Sequence, residues 1–484
     1  MNYPVWEVPY IGAIWVVGII AIIHVYVSHF AVGGGAFLAV TETIAARRGD
    51  TATLAYLKRH SNFFLILTSV IGAITGVGIW FSIGLASPSG TSALIHNFVF
   101  LWATEWVMFL VEITTAFVYY YTWDRIDSRG HQVIGWIYAV TSWLTLIIIN
   151  GILTFMLTPG QWLKTGSIWH AFFNPTYWPS IFLRSTAMAV LAGLFAMVTS
   201  MGLKDTGHRD RLMSYAGRWV MAGFFAFPFF LAWYLSRLPA PARELLINGL
   251  SNVAPGNLAI VTRMILGAGV LSLLLFAAAY IGPVLSPRLV SWPAVALFLF
   301  LGLGATGMTE LVRESLRKPY VIYGYMYGNS VLVSDLKRPG PKSALSMARW
   351  VTVDRITPSN MEAAGKQIFR THCMSCHTVS GYRGIAKLTK GWTEEFAAER
   401  LKTLDATKVM PPFVGTEQER RALARYLIRI SRAANPMVAH ASIAEPPPNR
   451  TALVPPPGTS AFVLTPAASH HQDRSTRRPA ALDQ

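Results

Sequence analysis

The chain's only two cysteines stand together in Cys373-Met374-Ser375-Cys376-His377. C-x-x-C-H is the attachment signature of c-type haem: two thiols add to the vinyl groups, and the following histidine is held under the iron. A redox dithiol is the competing use of such a pair, but the flanking residues fit haem attachment. One covalent haem c is therefore expected at Cys373 and Cys376, with His377 as an axial ligand. Other chemistry-bearing residues lie inside apolar runs, where an ionisable group is expensive and is a functional candidate by default. They are His24, His29, Glu42, Glu105, Glu112, Arg184, Arg263 and Glu310 with Glu314.

Those runs are membrane spans. The chain has 484 residues, 53% apolar and 13% charged, about half the charge of an ordinary soluble protein. Its net charge of +17 alone could suggest nucleic acid, but basic loops on a membrane protein are the better reading, and no nucleic-acid partner is expected. Windows of about 20 apolar residues predict eight helices near 12–45, 62–85, 97–121, 133–157, 180–203, 218–236, 258–282 and 292–312. Loops at 46–60, 121–133, 204–218 and 283–292 hold eleven Lys and Arg, against three (Lys164, Arg237 and Arg243) in the alternate loops. The positive-inside rule then puts both ends of the membrane part outside. Haem c is attached on the outer face of the bacterial cytoplasmic membrane, so the two signals agree. No basic residue precedes the first run and no cleavage site follows it, so no cleaved signal peptide is expected.

The texture changes after Asp335. The expected organisation is a transmembrane domain over 1–335, a linker over 336–358, a small helical haem domain over 359–432, and a tail over 433–484. The tail holds nine of the 28 prolines and reads as disordered or surface-hugging. The fold class is all-α: a polytopic helix bundle followed by a small all-α domain.

Within 359–432, Gly365-Lys366-Gln367-Ile368-Phe369, the cysteine motif, Met410-Pro411-Pro412-Phe413 and Glu419 to Leu427 together resemble a class I cytochrome c. In that family a loop delivers a methionine and the last helix crosses the first. The resemblance implies His377 and Met410 as the axial pair, the soft thioether favouring ferrous iron and a raised potential. A buried core methionine is the competing reading of Met410; the Pro-Pro after it, in an otherwise helical domain, favours ligation. His372 is expected on the surface.

Ligand counting excludes two familiar membrane haem proteins. The paired histidines of a bc-type cytochrome b are absent, and the only adjacent histidines, His470-His471, lie in the tail rather than in a span as a haem–copper oxidase requires. The spans instead resemble subunit I of cytochrome bd-type quinol oxidases. The segments are His24-Val25-Tyr26 with Gly33 and Glu42-Thr43, Gly72 to Gly76, Glu105 and Glu112 ahead of Trp123-Asp124-Arg125, Asn150-Gly151, and Glu314 to Tyr320 around Arg317. The resemblance implies His24 as ligand of a high-spin, non-covalent b- or d-type haem, with lipid, other respiratory subunits, and quinol or a redox protein as partners. Glu112 matches an acidic residue of the proton and haem site. Glu105, one position off its counterpart, lies seven residues away, nearly two turns and about 10.5 Å along the helix, so the two could form a proton relay. His29 is left as a hydrogen-bonding residue and His96 as an interfacial loop residue.

The departures from that family are equally specific. Its low-spin haem uses a histidine of the fifth span and a methionine of the seventh. Here Arg184 stands near the first place, and Arg263-Met264 is shifted by one at the second. The glutamate ligand of the other high-spin haem has Glu310 about one turn away. The outer quinol loop shrinks to about 20 residues around 237–257, and the haem c domain replaces the ninth span. Arg184 would then pair with a haem propionate or a carboxylate, or else snorkel outward. Two functions follow. One is dioxygen reduction at a haem held by His24 and fed by haem c, with protons through Glu105 and Glu112. The other is an electron-transfer subunit passing electrons between quinol or a partner and haem c without oxygen chemistry. A bare anchor is a third, disfavoured by the acids retained in the spans.

Overall fold

The computed structural model describes residues 3–251, 257–338, 342–407 and 409–434. The predicted tail lies outside the described residues, apart from its first two. Among the described residues, eight helices are long and apolar enough to cross a membrane. They are α1 (Ala13–Arg48), α2 and α3 (Thr51–Ile66 and Ala73–Ala86, one span), α4 (Pro88–Tyr121), α5 (Ser128–Phe155), α8 (Tyr177–Ser200), α9 (Thr206–Ser236), α11 (Asn257–Ala279) and α12 (Trp292–Leu316). Short helices α6 (Trp162–Thr165) and α7 (Ile168–Phe172) link α5 to α8, and α10 (Ala240–Ser251) precedes α11.

Polar caps end the apolar runs. Asp50, Asp127 and Asp205 accept from Thr53, Gly130 and His208 N–H at the starts of α2, α5 and α9, satisfying donors that a helix leaves open. Helix α8 is the most buried span and α2–α3 and α4 the least. A Cβ on Gly33 of α1 would overlap the Met188 carbonyl of α8, so glycine is what lets these two backbones meet. Between α2 and α3 the helix widens to a π segment, Leu67–Gly72, where the Thr68 and Ser69 hydroxyls bond back to Phe64 and Leu65 carbonyls. The His96 region is helical rather than loop: His96 sits exposed on α4, its Nδ1 2.8 Å from Ser92 O.

After α12 come a two-stranded hairpin, β1 (Tyr320–Ile322) and β2 (Met326–Tyr327), and the short α13 (Val333–Lys337). The haem domain is built from α14 (Met361–His372), α15 (Ile385–Leu388), α16 (Glu394–Lys402) and α17 (Glu417–Ala433). Helices α14 and α17 pack so closely at Gly365 that any Cβ there would overlap the Ala422 carbonyl. Thr416 and Glu419 form a capping box at the start of α17.

The expected linker differs from what the structure shows. From Lys342 onward it joins the haem domain: Ala344 and Leu345 enter its core. Glu419 accepts from Ser343 Oγ at 2.7 Å and from the Ala344 and Leu345 N–H at 3.0 Å. No long apolar run marks this segment in the sequence, because it is held by a carboxylate that fills backbone donors.

Candidate functional site

The cysteine motif turns off the end of α14. Cys373 and Cys376 are unbridged and half-buried. Burial, with Cys376 adding to it, pushes the Cys373 thiol up to about 12. His377 Nδ1 lies 2.9 Å from the Arg383 carbonyl. That bond makes Nδ1 the protonated nitrogen and leaves Nε2 with the lone pair a metal needs. Burial also holds His377 below its ordinary value. Met410 lies in the loop before α17, its N–H on Thr407 Oγ1 at 3.2 Å. The Arg370 guanidinium lies over the Trp350 ring, 5.2 Å from its centre, and Arg370 Nε and Trp350 Nε1 are buried with no hydrogen-bond partner among the described residues. These residues fit a covalent haem.

His372 is buried rather than on the surface, its Nδ1 3.2 Å from Asn329 Nδ2. The partner comes from beyond the bundle's last span, which explains why a local reading missed it.

In the membrane part, His24 Nδ1 lies 3.0 Å from Thr75 Oγ1, three residues past the π segment. The single Thr75 hydroxyl hydrogen is directed to the Ile71 carbonyl at 2.6 Å. Nδ1 must then be the donor, and Nε2 carries the free lone pair. A Cβ on Gly76 would lie 3.3 Å from the ring, so the glycine leaves the imidazole its place. The arrangement fits a haem ligand.

Glu112 on α4 accepts from the Tyr138 hydroxyl of α5 at 3.2 Å. That hydroxyl is also 3.2 Å from the Ala31 carbonyl of α1. Glu105 stands two turns away on α4, partly exposed. A second buried acid site lies toward the other end of the same three helices. Glu42 of α1 contacts His131 Nδ1 of α5 at 2.7 Å and accepts from the Tyr119 hydroxyl of α4 at 2.8 Å. His131 Nε2 reaches the Tyr119 carbonyl at 2.8 Å. A cavity of about 10 Å³, lined by Gly35, Ser61, Gly135 and the Tyr119 and Tyr138 rings, lies between the two acid sites. Glu42 stands out in the sequence, whereas His131, Tyr119 and Tyr138 do not; the available signal is a histidine three residues into a span.

Arg184 faces into the bundle. Its guanidinium donates to His29 Nε2 at 3.4 Å and stands 3.9 Å from Glu310, which Arg313 also holds at 2.9 Å. The carboxylate pairing is thus the one present. An arginine is always protonated and α8 contains no histidine, so this helix does not fit the histidine ligation of a second, low-spin haem. Arg317 is buried, on Glu314 at 2.5 Å and Met156 Sδ at 3.1 Å. Arg263 lies exposed near the start of α11, apart from this cluster. Asn150 is architectural: it joins α5 to α8 through the Tyr177 carbonyl at 3.0 Å and Ser180 Oγ at 2.7 Å.

Comparison with known proteins adds the family. Residues 13–237 match cytochrome bd terminal oxidase subunit I, and residues 360–427 match cytochrome c oxidase, cbb3-type, subunit III. Among solved structures, the bd oxidase from Geobacillus thermodenitrificans is similar at a TM-score of 0.56 and 17% identity, covering 65% of this chain and 88% of that one. No curated protein matches the chain. The N-terminal region is therefore a divergent cytochrome bd subunit I domain fused to a C-terminal cytochrome c domain, and the chain is a membrane-bound respiratory haem oxidoreductase.

Proposed function

We propose that the chain reduces dioxygen at a buried haem held by His24, with electrons arriving through a haem c bound covalently by Cys373 and Cys376. The observation that carries this reading is the Thr75 hydroxyl on His24 Nδ1 at 3.0 Å, which leaves the other ring nitrogen free to ligate. A haem held there supplies an iron with an open position for the reaction. The chain's residues do the rest: Thr75 and Gly76 orient the imidazole, and Glu112 exchanges a proton with its surroundings beside the Tyr138 hydroxyl. Glu105, on the same helix, extends the relay. Arg184, Arg313 and His29 hold Glu310, Arg317 is fixed on Glu314, and Arg263 faces outward.

The haem pair of the cytochrome c domain is His377 with Met410. Eleven basic residues in one set of loops against three in the other support a cytochrome domain on the outer face of a bacterial cytoplasmic membrane. Quinol or a redox protein is the electron donor, and other respiratory subunits accompany the chain.

Carbon monoxide binding tests the reading, because only a haem with an open position responds. The reduced protein is expected to bind it, and His24→Ala to abolish the signal while haem c stays spectrally intact. Non-covalent haem with no carbon monoxide response and no oxygen uptake would replace the oxidase by an electron-transfer subunit.

A further inference from the structure

Both loops that flank the haem position of the cytochrome domain touch the membrane part. On the His377 side, the Tyr382 N–H donates to the Tyr10 carbonyl, and the Trp15 and Tyr382 rings meet edge to face at 5.4 Å. On the other side, Val414, just past Met410-Pro411-Pro412-Phe413, packs with Tyr327 of the hairpin and Val331 just after it. Gly328 lies against Cys376, where a Cβ would come 3.7 Å from Sγ.

The segment ahead of α1 is itself tied down. Tyr3 donates to the Gly84 carbonyl at 2.9 Å and Trp6 N–H to Leu85 at 3.0 Å, both at the end of α3. It then turns sharply, with φ of 65° at Tyr10 and 78° at Gly12. A non-glycine residue in the left-handed region is uncommon and strained. The Tyr10 side chain is 70% exposed, so its packing does not offset that strain. What the turn accomplishes is to present the Tyr10 carbonyl to the cytochrome loop. Gly381 allows the approach, since any Cβ there would overlap that carbonyl.

We propose that residues 3–12 form a strap on which the cytochrome domain is seated by the loops after His377 and after Met410, so that a haem c bound there would be shielded on this side and held near the start of the His24 helix. The proposal rests on the reading that haem c exchanges electrons with the bundle. His24 lies eleven residues into α1, about 16 Å along its axis. Electrons then cross a fixed interface instead of being carried by a swinging domain, and Tyr10 and Gly381 are positioning residues.

Hydrogen exchange on the full chain, together with reduction of haem c by a small soluble reductant, tests the seating without reference to oxygen. In the parent protein the amides of 6–12 and 378–384 are expected to exchange slowly and haem c to be reduced slowly. Gly381→Val places a side chain on the Tyr10 carbonyl. Tyr10→Pro forbids the positive φ without touching the cytochrome domain. Each is expected to retain stainable haem c, speed exchange of both segments about tenfold or more, and speed reduction several-fold as the covered edge opens. If both variants keep parental exchange and reduction rates, or if the parent's two segments already exchange as freely as the variants', the seating is wrong. A failure of carbon monoxide binding would overturn only the oxidase reading, leaving these results standing.

Discussion

The cytochrome domain and the helix bundle carry haem sites of opposite construction. In the first, Cys373, Cys376 and His377 occupy five consecutive residues at the end of one helix, and a single carbonyl, that of Arg383, sets the histidine tautomer. In the second, each functional side chain is oriented from a different helix: His24 by Thr75 of α3, Glu112 by Tyr138 of α5, Glu42 by Tyr119 and His131, and Arg184 by Glu310 of α12. A local site survives changes elsewhere, whereas a distributed one depends on the packing of the whole bundle. The two regions should therefore fail differently when mutated.

The largest effect belongs to the local site. Replacing both cysteines, Cys373→Ala together with Cys376→Ala, removes both thioether links, and the denatured polypeptide should lose its haem peroxidase staining while the bundle's haem is unaffected. Full staining of that variant would end the assignment of a covalent haem. Met410→Ala should lower the reduction potential and remove the sulfur-to-iron absorption, leaving attachment intact.

Next comes His24→Ala, which should abolish carbon monoxide binding and oxygen uptake together. Thr75→Val sharpens the contrast, because it keeps the ligand and removes what fixes its tautomer. Losing a residue that orients a metal-ligating histidine typically costs about 10–100-fold in affinity or activity, so Thr75→Val should show weakened haem retention rather than none. If Thr75→Val leaves haem content and turnover at parental levels, the orientation inferred for His24 is wrong.

The same contrast explains what the sequence made legible. Residues that do chemistry by adjacency, such as Cys373 to His377, can be read as a string, and His24, Glu105 and Glu112 stand out because apolar runs surround them. Their partners do not stand out. Thr75 is one of many hydroxyls in the spans and is chemically informative only once α3 is packed on α1. His131 meets Glu42 across 89 positions. His372 reads as a surface residue until Asn329 is brought to it, and 342–358 reads as a linker until Glu419 is seen to hold its backbone. The spans and the all-α class follow from hydropathy and length, and the cytochrome fold from the resemblance its motifs carry; long-range polar pairing does not.

Among the distributed groups, Glu112 is the one expected to act through its proton. Glu112→Gln keeps the acceptor for Tyr138 but cannot titrate, so turnover should fall by about 10²-fold, within the range for loss of a proton-transfer group, while haem content stays near parental. Tyr138→Phe should cost less, since it removes an orienting hydroxyl and leaves the carboxylate. Equal turnover of Glu112→Gln and the parent would remove Glu112 from the relay and leave only structural pairing in that part of the bundle.

The smallest effect tests how far the cytochrome domain stands alone. Burial raises the Glu419 carboxyl, but hydrogen bonds from the Leu345 N–H, the Ser343 hydroxyl, and the Thr416 and Ala344 N–H groups outweigh it and hold the group below its ordinary value. As pH falls past the ordinary carboxylate range, the unfolded chain takes up this proton first. The stability from Glu419 is therefore complete above that range and is lost as pH falls through the folded value. Glu419→Ala strands those three backbone donors and should cost about 2–3 kcal/mol, read as an earlier urea midpoint of the sulfur-to-iron absorption in the full chain. Glu419→Gln retains an acceptor but no charge, so its midpoint should be lower than the parent's at neutral pH and flatter toward acid. The carbon monoxide signal of the bundle should follow neither change, because no residue of the distributed site bonds to Glu419. If that signal and the sulfur-to-iron absorption shift together, the two regions unfold as one unit and the local site is not independent of the bundle.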